Sequence, residues 1–177
     1  MQNIDRGELK RFIVMFDRLV HHTNRWIEVT PNDKLEWVPV DNPNVRFGDR
    51  VSLVNIKGLY VHMAVGEYHW FRGLGNCTNN ATIPLPKDAT LTEELSDGDF
   101  VGKFMLQHEE SMELVRNYST EQLTKTIQFS GCTWTVMGFL WAIYGHRNYH
   151  LGNIDIYLRQ SDTVAPDYFH FNPSMMA

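Results

Sequence analysis

Two histidines, His146 and His150, stand four residues apart in the stretch "WAIYGHRNYHLGNIDIYLRQ". On a helix that spacing places the two rings one above the other. Ile143 lies one turn before them and Ile154 one turn after, so both rings fall on the apolar side. A histidine inside a core must satisfy its ring nitrogens or give a lone pair to something. An HxxxH pair can bring two imidazole nitrogens to about 2.0–2.1 Å from one divalent cation. Alone it is a weak signal, because surface helices carry such pairs by chance. A third ligand has to come from another segment, and "YVHMAVGEYHW" offers His62 and His69, seven residues apart and therefore on one face. Either could complete the set. Either could also be a core or boundary histidine bonded to a backbone carbonyl.

The elements that must position these residues are helices. Leu9, Phe12, Ile13, Phe16, Leu19 and Val20 recur at spacings of three and four, which predicts a first helix from about Asp5 to Trp26. A Pro- and Asn-rich loop follows, where no helix can continue. A second helix is expected from Asp49, a candidate N-cap, to Gly75. A third should run from Leu95 to Tyr118 and a fourth from Thr133 to Gln160. The polar stretch "NYSTEQLTKTIQFSG" between the last two reads as a connection. Four long amphipathic segments with almost no strand-like alternation predict an all-α four-helix bundle, formed by residues 1–177 as a single domain.

Composition narrows the functional classes. The chain has 177 residues, a net charge of −5 and no Lys/Arg run, which argues against a nucleic-acid partner. No apolar run approaches the length of about 18 residues that a membrane span needs, and the N-terminus has no signal-peptide pattern. A cytoplasmic protein is the expectation. Cys77 and Cys132 are too few and too distant for a disulfide framework or a cysteine zinc site, and they read as free thiols. If the second and fourth helices run antiparallel, both thiols lie toward one end of the bundle. Glu93, Glu94, Glu109 and Glu110 read as solvated surface charges. The five tryptophans read mainly as packing residues, and His170 in the tail has no expected partner.

Taken together, the motifs resemble the DinB-like (damage-inducible) metal-dependent bundle superfamily. In "YVHMAVGEYHWFRGL" the spacing of His62, Glu67 and Trp70 is similar to that family's second-helix motif. "GHRNYHLGN" with Tyr157-Leu158-Arg159 resembles its fourth-helix signature, "TPNDKLEWVPVDN" its first loop, and "APDYFHF" its C-terminal turn. The resemblance implies a four-helix bundle with a long crossover connection, frequently paired as a homodimer. It further implies that His62, His146 and His150 hold a divalent metal ion, zinc or nickel first, with iron or copper as alternatives. His69 then becomes a pocket or structural residue. Three positions depart from the family pattern. Asn153 stands for a Gln, Arg147 for a Glu and Tyr149 for a His.

Three neutral ligands leave a cation its full charge and an open position, the pattern of catalytic sites. That position can take a water or a thiol, and the cation lowers the pKa of either. Relatives include S-transferases that use a low-molecular-weight thiol, so the leading expectation is a metal-dependent transferase joining such a thiol to a small electrophile. Asn153 and Tyr149 are then outer-shell candidates, and His69 a proton-handling group near the mouth. The alternatives are a metal-dependent hydrolase, and a non-catalytic metal-binding stress-response protein.

Overall fold

The computed structural model describes residues 6–38 and 55–168. Four long helices carry the architecture: α1 (Arg6–Glu28), α3 (Ile56–Asn76), α5 (Phe100–Arg116) and α7 (Val136–Gln160). The short α2 (Asn32–Leu35), α4 (Ala89–Ser96) and α6 (Thr120–Thr124) lie in the connections, as do three short strands, β1 (Ala81–Thr82), β2 (Thr126–Phe129) and β3 (Cys132–Thr135). Both α1 and α3 pack against α5 and α7. The consecutive long helices α1 and α3 therefore occupy opposite corners of the bundle, and the chain crosses over between them. Phe12, Phe16, Leu19, Leu59, Met63, Leu140 and Ile154 fill the centre.

The first helix follows its periodicity closely. The second begins later than its pattern suggests: Asn55 caps α3 by accepting from the Gly58 N–H at 2.7 Å. Asp49, the expected cap, lies outside the described residues, as does His170. The expected third helix is two helices. Gly98 sits at φ +59°, a left-handed conformation that stops α4, and Asp99 then caps α5 through the Gly102 N–H. An Asp-Gly-Asp triplet is a turn signal that apolar spacing alone passes over.

The largest departure is the sheet. Part of the stretch read as a polar connection is β2, and Thr133–Thr135, expected in the fourth helix, belong to β3. The two strands form an antiparallel hairpin, with Phe129 opposite Cys132 and Ile127 opposite Trp134. Ser130 and Gly131 both take positive φ at its tip, as a two-residue turn demands. β1 adds in parallel to β2. Cys77, just before β1, is buried against Gln122, and Cys132 is exposed at the same sheet-bearing end. Both thiols are free, as expected.

Candidate metal centre

His62 comes from α3, and His146 and His150 come from successive turns of α7. Their Nε2 atoms converge: His62 lies 3.2 Å from His146, and His150 lies 3.1 Å from His146. All three candidate ligand atoms fall within 4.8 Å of one another. Nitrogens sharing one tetrahedral zinc at about 2.0–2.1 Å sit roughly 3.3–3.4 Å apart, so the spacing suits a common cation. Burial is graded across the trio. His62 is exposed, His146 half-buried and His150 buried.

The donors are kept in the form a metal needs. Burial, together with the neighbouring His150, His62 and Arg147, pushes His146 down to about 3. Burial, then His62 and Arg147, lowers His150 to about 4 against an opposing contribution from Asn153. Both rings are thus neutral at physiological pH, with lone pairs available. In the unfolded chain the same rings titrate near 6.5. As the pH falls below about 6.5 the unfolded state takes up protons that the fold refuses, so stability is lost on acidification. Metal-free protein should therefore melt at progressively lower temperature between about pH 6.5 and pH 4, with His22, also lowered by burial, adding to the slope. Thermal scans in chelator check this. His150→Gln should flatten the slope, and an unchanged slope would contradict it.

Ligating histidines ordinarily donate their second ring N–H to an acceptor, which sets the tautomer. Here the Nδ1 atoms of His146 and His150 are buried without a hydrogen bond of ordinary geometry, and so is Asn153 Oδ1. The last two act on one another: Asn153 raises the proton affinity of His150 as an acceptor does, although the contact falls short of strict hydrogen-bond geometry. An Asn153 Oδ1 that accepts from the His150 Nδ1–H would satisfy both atoms and leave the Nε2 lone pair for the trio. Asn153→Leu is expected to weaken zinc binding about 10–100-fold, read by chelator competition, and unaltered affinity would remove Asn153 from the site.

What holds the two helices in register is a pair that apolar periodicity does not announce. Glu67, five residues after His62, and Arg147, next to His146, form a bidentate ion pair with Nε–Oε1 at 2.7 Å and Nη2–Oε2 at 2.6 Å. They are 2% and 0% exposed. The guanidinium also lies over the Phe104 ring, 4.8 Å from its centroid. The signal in the chain is a lone charge inside each of two apolar stripes; their pairing across 80 residues is visible only in the fold. A second, half-buried pair, His108 with Asp17 at 3.0 Å, links α5 to α1.

The open side of the trio faces a cleft of about 850 Å³. His62 and His146 lie in its wall with Val61, Val65 and Trp70, while the segment from Leu85 to Ser96 forms the opposite side. Trp70 stands edge-on to His146 at 5.1 Å between centroids. Its indole lies against Gly66, where a Cβ would come within 3.2 Å of the ring, so the missing side chain makes room for the tryptophan.

The other expected site residues sit further out. The Nε2 of His69 lies 3.0 Å from Asp88 Oδ2, and His69 is two turns along α3 from His62, roughly 10 Å. Asp88 lines the cleft and caps α4, so the pair ties the cleft's outer wall to α3. Tyr149 is 62% exposed and touches His150 edge-on at 5.1 Å. Neither His69 nor Tyr149 lines the cleft.

No protein-family model matches the chain, and no curated protein matches it by sequence. Among solved structures the chain is similar to one described as "YfiT from Bacillus subtilis is a probable metal-dependent hydrolase with an unusual four-helix bundle topology". The TM-score is 0.65 over 92% of each chain, at 14% identity. The likeness is one of fold: it shows a four-helix bundle, as the periodicity and the motifs both implied. Among the described residues no helix is long and apolar enough to cross a membrane.

Proposed function

We propose that this DinB-like bundle is a divalent-metal-dependent enzyme in which His62, His146 and His150 hold the cation and a small molecule binds in the adjoining cleft. One observation carries the reading: three imidazole Nε2 atoms, two of them on rings kept neutral by burial, meet beside an open cleft. The chemistry of the donor set suits zinc or nickel, with iron or copper as alternatives. Such a cation, when bound, supplies Lewis acidity and lowers the pKa of a water or thiol beside it.

The protein's own residues do the rest. The Glu67–Arg147 pair holds α3 against α7 so that the three rings share one point. Asn153 orients His150. The apolar wall of Val61, Val65 and Trp70 limits water around the reacting group. His69, held by Asp88, is the candidate for handling a proton at the margin of the cleft, and Tyr149 covers the outer side of His150. We take the protein to be a cytoplasmic homodimer built from one such domain.

Hydrolysis is the reaction this reading favours, because the structural neighbour is described as a probable metal-dependent hydrolase. Thiol transfer, which the motif resemblance implies, differs in needing a second substrate. Both are tested by assaying activated esters, amides and electrophiles with zinc- or nickel-loaded protein, with and without glutathione. Turnover that is abolished by chelator, restored by metal and indifferent to thiol supports hydrolysis. Turnover that requires thiol replaces it with S-transfer. Stoichiometric metal with no turnover would leave the non-catalytic, stress-response role.

A further inference from the structure

The two sides of the cleft differ in chemistry, and the difference selects among substrates. The α3 side offers Val61, Val65 and the Trp70 ring beside His62 and His146. Leu85 and Pro86 face them from the opposite segment, and Phe129 lies at the sheet end. A ligand group next to the metal position is therefore flanked by hydrocarbon.

Charge points the same way. Among the described residues, Lys87, Asp88 and Glu93 are the acidic and basic side chains in the lining besides the histidines. The Asp88 carboxylate is already engaged, by His69 at 3.0 Å and by the Leu91 N–H at 2.9 Å. Lys87 and Glu93 then offset each other in formal charge. A phosphate ester or a polycarboxylate calls for a forked arginine or a free helix N-terminus. Among the described residues no arginine lines the cleft, and the helix N-termini that border it, those of α4 and α3, are filled by the capping Asp88 and Asn55. A volume of about 850 Å³ suits a compact organic molecule.

We propose that the cleft takes an uncharged small molecule with an aryl or branched-alkyl body next to its metal-binding group, and discriminates against phosphorylated or multiply anionic compounds. This rests on the metal-site reading above and names its substrate class. The apolar body lies along Val61, Val65 and Trp70, and one acceptor of the ligand faces the histidines.

The test uses hydroxamates, which bind zinc through a constant head group. Zinc-loaded protein is titrated calorimetrically with acetohydroxamate, benzohydroxamate and a hydroxamate bearing a phosphonate. Benzohydroxamate is expected to bind at least about tenfold tighter than acetohydroxamate, because its ring buries more hydrocarbon than a methyl group does. The phosphonate compound should bind no tighter than acetohydroxamate. In Leu85→Asp, which alters the partly exposed outer wall, the aryl preference should shrink at least about threefold at unchanged zinc stoichiometry. Equal affinity for the aryl and methyl compounds, tighter binding of the phosphonate, or a preference unmoved by Leu85→Asp would overturn the proposal while leaving the metal site standing. Zinc that fails to stay bound brings down the metal reading itself, and this proposal with it.

Discussion

His146→Ala should strip the protein of its divalent cation. Purified wild-type chain is expected to carry close to one equivalent by elemental analysis after metal loading, and the variant next to none. The reason is geometric. His146 Nε2 lies 3.2 Å from one of the other two candidate ligand atoms and 3.1 Å from the other, so its removal takes away the donor nearest to both and leaves two imidazoles to hold the cation. Losing even an outer hydrogen-bond partner of a ligand typically costs 10–100-fold in affinity, and losing a ligand should exceed that, on the order of 10³-fold or more. Any metal-dependent turnover should disappear with it. His62→Ala should behave alike, although this ring is exposed and its loss costs the fold little. A variant that keeps a stoichiometric cation would refute the assignment. His69→Ala provides the contrast: it breaks the bond to Asp88 and should leave the metal content unchanged.

The second large effect concerns stability. Glu67→Gln should destabilise the protein by about 3–5 kcal/mol, because it strands a guanidinium that is 0% exposed without its counter-charge. For a chain of this size that corresponds to a fall in Tm of roughly 6–20 °C. Arg147→Met should cost a similar amount by leaving the carboxylate buried and alone. The double replacement Glu67→Leu with Arg147→Met removes both charges and substitutes hydrocarbon of comparable volume. It should recover most of the lost stability, since buried pairs are often matched or exceeded by apolar residues. Chemical denaturation of Glu67→Leu, Arg147→Met and the double variant, each against the wild-type chain, gives the coupling energy. Losses in the single variants that simply add in the double would show that the pair is not coupled. The double variant also separates two roles. If the ion pair serves to align α3 with α7, metal affinity should stay reduced even where stability returns.

Much of the candidate centre was legible in the chain because its three histidines lie on regular elements. His146 and His150 share an apolar stripe at helical spacing, and His62 stands at the head of a patterned stretch, so periodicity and motif point to the same three rings. Spacing alone could not choose between His62 and His69, which lie on the same face. The fold separates them by length along the helix: one meets α7 and the other meets Asp88. The hairpin was not legible for a different reason. Each of its strands is four residues long, with a single buried position, Ile127, in the first. So short a run carries too little alternation to stand out from a polar connection. The break at Gly98 was missed because apolar residues continue at helical spacing on both sides of it. The Glu67–Arg147 pair depends on two helices meeting, and no local pattern reports which charges will find each other.

The separation of the ligands along the chain has a consequence for biosynthesis. His62 precedes His146 by 84 residues, and both α7 histidines lie in the last of the described long helices. If these rings are the ligands as proposed, a nascent polypeptide has no complete set of donors until that helix has emerged and docked. On the proposed assignment, cation uptake follows the docking of α7 and does not precede it.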